Sequence, residues 1–280
     1  MAATDDAVAT EDDALYVLTA LLLTPATFPS VLGDDYPEAC AALGLAPLAD
    51  GYGLVLGQDG QGARWTVVVD DVSLVAVAIA SWDCGMEYDL SPDEKSMIAA
   101  LPGWPLALAV AAPNVPAPHD PEPDTESAES APLCPPDTDT WGPAQRRLGA
   151  DEIALQWASW RSQLDDDQFA SGSEAEKARG DAETPSAPSG SSHEGVRRVL
   201  AEARSYVDTP PPLGRVRSAF ASGGARTLRA DGPGWSMVAR TDDIAFILLD
   251  DEPGEVLPVG RGPELPGLLE ALDKMAVRPA

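Results

Sequence analysis

The chain carries one pattern twice, first as Asp59-Gly-Gln-Gly62 before Trp65-Thr-Val-Val68 and Asp70-Asp-Val72, and again as Asp231-Gly-Pro-Gly234 before Trp235-Ser-Met-Val238 and Asp242-Asp-Ile244. Glycine next to aspartate is typical of the tight turn of a β-hairpin. Short apolar runs that contain tryptophan and valine are typical of strands. We therefore predict an antiparallel meander around each copy of the pattern.

Segments with helical patterns flank both meanders. In the first half we predict a helix over 14–23, a helix after Asp35, strands over 52–56, 65–69 and 72–79, a helix opened by Ser91 and a strand over 106–111. In the second half we predict a helix over 196–207, strands over 225–228, 235–238 and 244–249, and a helix over 265–275. Both halves thus indicate an α+β fold. Duplication of one α-β-β-β-α unit explains the likeness, as does convergence of common turn and strand residues.

Composition divides the chain into five parts. Residues 113–142 and 170–195 are rich in proline, serine and carboxylates and poor in large apolar residues, so they bury too little surface to offset the entropy of ordering. The predicted parts are an acidic N-terminal α+β lobe (1–112), a disordered linker (113–142), an amphipathic tryptophan helix (143–169), a second disordered linker (170–195) and a C-terminal α+β lobe (196–280).

The net charge of the 280 residues is -28, from 46 carboxylates and 18 cations. Direct binding to nucleic acid or to an anionic membrane is disfavoured, because both need clustered cations. The apolar runs are too short to span a bilayer, and the acidic N-terminus does not resemble a secretory signal. Three widely spaced cysteines form neither a disulfide scaffold nor a metal motif. These features predict a cytoplasmic protein, and the composition resembles that of GC-rich actinobacteria.

The charge is unevenly distributed. Before Arg146 the chain has 24 carboxylates against two cations, Arg64 and Lys95, a net of -22. From Val196 to Arg240 the sign inverts to +5. This asymmetry indicates two regions with different electrostatic roles, although mutual neutralisation within one molecule explains it equally well.

No catalytic, metal-binding or cofactor-binding motif is found. The two histidines, His119 and His193, fall in the predicted linkers, where no rigid scaffold would hold them for catalysis. Cys84 has no neighbouring cation in the sequence to activate it. The densest group of carboxylates, Asp83, Glu87, Asp89 and Asp93, could gather round a divalent cation, but a surface loop leading into a helix explains it better.

The tryptophan helix is the first candidate binding site. Ile153, Trp157, Trp160 and Leu164 recur at helical spacing and would share one face. Such a helix between acidic tethers suits binding in the groove of a partner. The alternative is that it docks on its own protein as ordinary core material.

A group of arginines is the second candidate site. It consists of Arg197, Arg198, Arg204, Arg215 and Arg217, which could bind an anionic ligand or an acidic segment. Pairing with the acidic linkers of the same chain is the preferred interpretation.

The sequence therefore favours a non-enzymatic adaptor, regulator or chaperone-like protein that acts through protein–protein contacts, its acidic surface attracting a basic partner. One alternative is an acidic mimic of nucleic acid, or an antitoxin or immunity-type inhibitor. An enzyme that uses carboxylates and a metal ion is a third, weaker alternative. The oligomeric state does not follow from the sequence.

Overall fold

The computed structural model describes residues 14–105, 119–120, 131–137, 139–164 and 190–279. These residues form helices and two antiparallel sheets, which confirms the α+β class. In chain order the elements are β1 (Tyr16–Leu23), α1 (Tyr36–Ala42), β2 (Tyr52–Gln58), β3 (Arg64–Val69), α2 (Val72–Asp83), β4 (Met97–Pro102), α3 (Pro143–Leu155), α4 (Trp157–Ser162), α5 (Gly190–Asp208), β5 (Val216–Phe220), β6 (Arg226–Gly232), β7 (Trp235–Arg240), β8 (Ala245–Leu249), β9 (Leu257–Val259) and α6 (Leu265–Met275). Within the described ranges, no helix combines the length and apolar character needed to cross a membrane.

The chain divides into two compact units whose boundaries differ from the predicted lobes. Unit 1 contains residues 1–24 and 47–136, and unit 2 contains residues 25–46 and 137–280. Residues 25–46, predicted as part of the N-terminal lobe, therefore belong to the same unit as the C-terminal sheet. Two long-range contacts explain this assignment. The backbone N–H of Tyr36 donates to the Leu213 carbonyl at 2.9 Å, and Arg215 forms an ion pair with Asp35.

Unit 1 is built on a four-stranded antiparallel sheet in the order β1-β2-β3-β4. The predicted hairpin between β2 and β3 is present, and the Asp59 carboxylate accepts the backbone N–H groups of Gln61 and Ala63 in its turn. Helix α2 packs across β1 and β2. The core beneath it contains Ala20, Val55, Val67, Val69, Val75, Ala78 and Leu90.

The helix predicted over 14–23 is wrong, because residues 16–23 form the strand β1. Residues 14–23 are ten apolar or small residues without a charge, and periodicity alone does not distinguish a helix from a strand over such a length. Pairing with β2 along nearly the whole run decides the outcome.

The strand predicted over 72–79 is also wrong, because these residues lie in α2. Their valine content favours a strand by propensity. The Asp71 carboxylate, however, accepts the backbone N–H of Leu74 at 2.9 Å and caps a helix, which then buries one face on the sheet. Tertiary packing overrides the local preference.

The helix predicted to open at Ser91 is the third correction. The Ser91 hydroxyl donates to the Asp89 carboxylate at 2.6 Å, and the segment continues into strand β4. The strand predicted over 106–111 lies outside the described residues.

Unit 2 contains a five-stranded antiparallel sheet in the order β5-β6-β7-β8-β9. The predicted strands correspond to β6, β7 and β8, and the predicted helices correspond to α5 and α6, which cover one face of the sheet. Helices α3 and α4 cover the apolar part of the opposite face. The helix predicted after Asp35 is α1, and the Asp35 carboxylate caps it by accepting the backbone N–H of Glu38 at 2.8 Å.

The structure does not confirm a duplication. In both units the Asp-Gly turn joins two strands and the tryptophan opens or nearly opens the second strand. After the second strand the units diverge, because Asp70-Asp71 leads into helix α2 whereas Asp242-Asp243 forms a turn into strand β8.

The predicted linkers lie largely outside the described residues. From 113–142 the structure describes residues 119–120, 131–137 and 139–142, and from 170–195 it describes only 190–195, which begin α5. The predicted tryptophan helix over 143–169 is described as far as Leu164, as α3 and α4 with a break at Gln156.

Candidate functional site

Helix α2 of unit 1 is apolar on all sides. From Val72 to Trp82 it contains only aliphatic residues, serine and tryptophan, without a charge. Its inner face is buried through Val75 and Ala78. A helix that is apolar all round is expected to be covered on all sides, so the state of its outer face is informative.

The outer face of α2 is exposed in the structure. Val77 is 54% exposed and Leu74 is 38% exposed, and Met86 in the following loop is exposed as well. Exposed apolar residues that cluster on one element mark interaction surfaces more often than isolated ones do. We call Leu74 and Val77, together with the small residues between and beside them, the α2 face.

Carboxylates surround the α2 face. Asp70 and Asp71 precede the helix, Asp83 is its last residue, and Glu87 and Asp89 lie in the loop that follows; all five are exposed. Unit 1 as a whole has 19 carboxylates and two cations in its sequence, a net of -17. One of these cations, Arg64, is already paired with Asp120 at 3.0 Å. The α2 face is therefore an apolar surface with a strongly negative border.

The carboxylates near α2 do not form a metal site. Among the described residues, no group of three or more histidine, cysteine, aspartate or glutamate side chains is arranged to hold a metal ion. The Asp89 carboxylate accepts hydrogen bonds from the hydroxyl and the backbone N–H of Ser91, which lower its pKa. Cys84, His119 and His193 are exposed.

Gly53 of β2 lies in close contact with Val75 of α2. A Cβ atom at this position would lie 2.3 Å from Cγ2 of Val75. We expect Gly53→Ala to lower the free energy of unfolding by about 1–3 kcal/mol, because it overpacks this contact. The matched double variant Gly53→Ala/Val75→Ala removes the shortest of these contacts but leaves Cβ of residue 75 at 2.9 Å and Cγ2 of Val69 at 3.0 Å, so Gly53→Ala should cost less stability in the Val75→Ala protein than in the native one. Urea unfolding measures both effects. A Gly53→Ala protein as stable as the native one would contradict the close contact between Gly53 and Val75.

The tryptophan helix docks on its own unit. Ile153 and Trp157 are buried, and Trp160 and Leu164 are partly buried against the same cluster. The rings of Trp157 and Trp160 lie edge-on to Phe246 of β8, with centroids 5.2 and 6.5 Å apart. In this structure the four side chains thus cover the unit's own sheet, as the alternative of docking on the same protein requires.

An open groove of about 540 Å³ lies beside α4, between this helix and the turn from β7 to β8. Its charged residues are already paired with one another. Arg161 contacts Asp243 at 3.2 Å, and Arg240 contacts Asp242 at 3.0 Å. The Trp157 indole N–H also donates to Asp243. Because each of these four charges has a partner, the groove offers little to an ionic ligand.

The five arginines of the second predicted site do not converge. Arg197 is exposed, and Arg198 and Arg204 form exposed ion pairs with Asp251 and Glu264. Arg215 pairs with Asp35 and Glu38, and Arg217 pairs with Asp231. Arg198, Arg204, Arg215 and Arg217 thus contact carboxylates of their own unit that lie outside both predicted linkers, and not the linker carboxylates that the sequence analysis preferred.

Unit 2 contains a buried cluster of arginines and aspartates that the sequence analysis did not identify. It covers the β5–β6 end of the sheet face opposite α5 and α6. Its members are Ser30 and Asp34 from the 25–46 segment, Arg146, Arg147 and Asp151 from α3, Arg217 from β5, Arg229 and Asp231 from β6, Ser236 from β7, and Asp250. In the sequence of β6, apolar residues alternate with Arg229 and Asp231, and this pattern indicates that charged side chains lie on one face of the strand.

Arg146 is the centre of this buried cluster. Its side chain is 0% exposed and contacts Asp34 at 2.9 Å and Asp250 at 2.7 Å. It also donates to the Ser236 hydroxyl, which in turn donates to Asp231 at 2.6 Å. Arg229 pairs with Asp151, so α3 is tied to β6 as well. The cluster connects three separate parts of the chain within unit 2.

Burial and pairing shift the pKa values in this region in opposite directions. Burial opposes the ionisation of Asp231, but Arg229, Arg217 and the Ser236 hydroxyl outweigh it and hold the pKa of Asp231 below its usual range. At Asp35 burial prevails over Arg215 and the Glu38 N–H, so the pKa is raised. The four arginines and four aspartates of the cluster balance in charge and pair with one another, which is typical of a structural network, while the buried Nε atoms of Arg147, Arg217 and Arg229 have no hydrogen-bond partner in the described part of the chain.

Comparisons of the chain with protein-family models, with curated proteins and with solved structures found no match.

Proposed function

We propose that this protein is a non-enzymatic adaptor or regulator, and that unit 1 binds a basic partner protein through the α2 face. The observation that carries the proposal is the exposure of Leu74 and Val77 on a helix that has no charge from Val72 to Trp82. Solvent exposure of such a face is unfavourable, and a partner that covers it gains the free energy of apolar burial.

The negative border supports a basic partner. The exposed carboxylates around the α2 face attract positive charge over a range of roughly 8–10 Å at physiological ionic strength, which accelerates encounter and excludes acidic proteins. Apolar contact then supplies most of the affinity. The partner therefore has an apolar groove with lysine or arginine along its margins, which is the usual form of a groove that receives a helix.

A photo-crosslinking amino acid in place of Val77, in the cell of origin, tests this proposal. We expect one dominant adduct with a protein whose contact surface is basic. The matched control carries the same amino acid in place of Leu155 of α3, which is 84% exposed but lies in unit 2. It should not give this adduct. An acidic adduct partner, or the same set of adducts from both positions, contradicts the proposal.

The purified partner then allows a quantitative test. We expect Leu74→Ser/Val77→Ser to weaken binding about tenfold, because covering the exposed parts of the two side chains contributes on the order of 1.5 kcal/mol in total. The fold should be preserved, since neither side chain belongs to the buried core of unit 1. Titration calorimetry of native and variant proteins gives the ratio of the dissociation constants. Equal affinities would exclude the α2 face as the contact surface.

A further inference from the structure

The connection between β1 and β2 is unusually long. Leu23 and Tyr52 pair at the ends of these neighbouring antiparallel strands, and residues 24–51 lie between them. Such strands are normally joined by about two to five residues, and ordered connections longer than about 15 residues are uncommon and usually functional. Residues 25–46, the greater part of this connection, belong to unit 2 and not to the unit of the strands that it joins.

The segment 25–46 contacts arginines of unit 2 through all of its charges. Its charged side chains are three carboxylates, without a cation. Arginine clusters recognise acidic peptides through charge-assisted hydrogen bonds of this kind. The pairs are Asp34 with Arg146 at 2.9 Å and with Arg147 at 3.2 Å, Asp35 with Arg215 at 3.0 Å, and Glu38 with Arg215 at 3.1 Å.

An aromatic contact and a backbone contact add to these pairs. The Arg217 guanidinium lies over the Phe28 ring, 4.3 Å from its centroid, and the Tyr36 N–H donates to the Leu213 carbonyl at 2.9 Å. Gly214 leaves the space for this approach, because a Cβ atom there would lie 2.7 Å from Cε1 of Phe28. The surface of unit 2 therefore accommodates an aromatic residue followed by carboxylates.

The segment does not satisfy all the donors of this surface. Nε of Arg147, Nη1 of Arg215 and Nε of Arg217 are buried and have no hydrogen-bond partner in the part of the chain that the structure describes. Each of these three arginines also contacts the segment. A buried donor without a partner is unfavourable. A ligand with more acceptor oxygens than residues 28–38 would therefore bind this surface more completely.

We propose that Arg146, Arg147, Arg215 and Arg217 form a binding site for an acidic segment of a partner protein, and that residues 28–38 of the same chain occupy this site until such a segment displaces them. We call these four arginines the acidic-segment site. Its ligand is an extended peptide with an aromatic residue and several carboxylates. The site lies wholly in unit 2, so it is independent of the α2 face and of its basic partner.

The covalent attachment of residues 28–38 favours them over a free ligand. A tethered segment has an effective concentration on the order of millimolar at its site. A free peptide of the same sequence should therefore bind the native chain weakly. It should bind more tightly when the contacts of the attached segment are weakened.

The test uses the full chain and a fluorescein-labelled peptide with the sequence of residues 28–38, Phe-Pro-Ser-Val-Leu-Gly-Asp-Asp-Tyr-Pro-Glu. Fluorescence anisotropy gives its dissociation constants. We expect saturable binding to Asp34→Asn/Asp35→Asn at least about tenfold tighter than to the native chain. The matched control, Asp208→Asn/Asp251→Asn, removes two exposed carboxylates of the same unit and should bind the peptide like the native chain.

Changes in the peptide test recognition without altering the chain. The peptide with Asp34→Asn/Asp35→Asn/Glu38→Gln should bind at least about tenfold more weakly, because it loses its charge-assisted hydrogen bonds. The peptide with Phe28→Leu should bind about threefold more weakly, because it loses the contact with the Arg217 guanidinium.

Amide hydrogen exchange of the native chain tests whether the segment leaves its site. The protection factor of the Tyr36 amide, which donates to Leu213, should be at least about tenfold lower than those of the central strand β7. Release of residues 25–46 requires only local opening, whereas exchange in β7 requires opening of the sheet. This measurement needs no variant, so it decides the question even if Asp34→Asn/Asp35→Asn does not fold.

Three results would overturn the inference. The first is a folded Asp34→Asn/Asp35→Asn chain that binds the acidic peptide no better than the uncharged one. The second is a Tyr36 amide as protected as those of β7, which would make residues 25–46 a permanent part of the fold. The third is a dimer of native and Asp34→Asn/Asp35→Asn chains that excludes the peptide, which would assign the site to a second copy. The α2 face is unchanged in all these proteins, so none of these results contradicts the proposed function.

Discussion

Replacing Arg146 by methionine is expected to lower the free energy of unfolding of unit 2 by about 3–5 kcal/mol, the usual effect of breaking a buried ion pair by removing one partner. The guanidinium is 0% exposed and neutralises Asp34 and Asp250 while it donates to Ser236. Methionine fills a similar volume but leaves both carboxylates and the hydroxyl without this donor. Urea unfolding followed by amide exchange in β7 measures the loss.

The matched control for Arg146→Met is Arg198→Met. Arg198 forms an exposed ion pair with Asp251 in the same unit, and surface pairs of this kind contribute about 0–1 kcal/mol. A loss of stability in Arg146→Met no larger than that in Arg198→Met would mean that the buried cluster does not hold the 25–46 segment and α3 on the sheet.

Asp231→Asn is expected to destabilise unit 2 by about 3–5 kcal/mol at neutral pH, for the same reason. Asp231 is 0% exposed, and its carboxylate contacts Arg217 at 3.1 Å and accepts a hydrogen bond from Ser236. Asparagine preserves the shape but removes the charge, so Arg217 and Arg229 lose their buried counter-ion.

The effect of Asp231→Asn should depend on pH with a defined sign. The pKa of Asp231 is lowered in the folded protein, whereas an unfolded aspartate titrates near 3.9. The ionised carboxylate therefore stabilises the fold fully above about pH 5, and this stabilisation is lost as the pH falls through the folded pKa. The difference between native and variant proteins should be largest at pH 7 and shrink towards pH 2.

Urea titrations at several pH values test this dependence. Asp251→Asn, at an exposed carboxylate of the same unit, is the control and should change stability by no more than about 0.5 kcal/mol at any pH. A difference between native protein and Asp231→Asn that stays constant from pH 7 to pH 2 would show that the charge of Asp231 does not stabilise the fold.

The charge distribution has a structural explanation in unit 2. The arginines of the basic stretch do not form an open anion site, since Arg215, Arg217 and Arg229 pair with carboxylates of the same unit. Part of the N-terminal acidity, namely Asp34, Asp35 and Glu38, belongs to the 25–46 segment and serves this pairing. Unit 1, where the α2 face lies, then has the larger share of the net charge, -17 of -28.

The sequence predicted unit 2 better than unit 1. In unit 2, strands and helices have distinct patterns: α6 carries leucines at helical spacing, and β7 and β8 are separated by the polar turn at Asp242-Asp243. In unit 1, Tyr16–Leu23 and Val72–Asp83 are both nearly continuous apolar runs. Such runs are compatible with either secondary structure, and both were assigned the wrong one.

The sequence also predicted the candidate sites only in part. The tryptophan spacing predicted an apolar helical face, but helix spacing does not reveal whether Trp157 and Trp160 meet Phe246 of the same chain or another protein. The α2 face was missed because its residues were assigned to a strand. The buried cluster was missed because its members lie more than 100 residues apart, as Arg146 and Asp34 do.

The sequence by itself determined the α+β class, the hairpin turns at Asp59 and Asp231, and the excess of negative charge in the first half, because these depend on local turn chemistry and composition. Only the tertiary structure decided that Tyr16–Leu23 is a strand, that Val72–Asp83 is a helix with an exposed apolar face, and that residues 25–46 belong to unit 2. These outcomes depend on which distant residues bury an apolar surface or neutralise a charge, and no local pattern encodes that pairing.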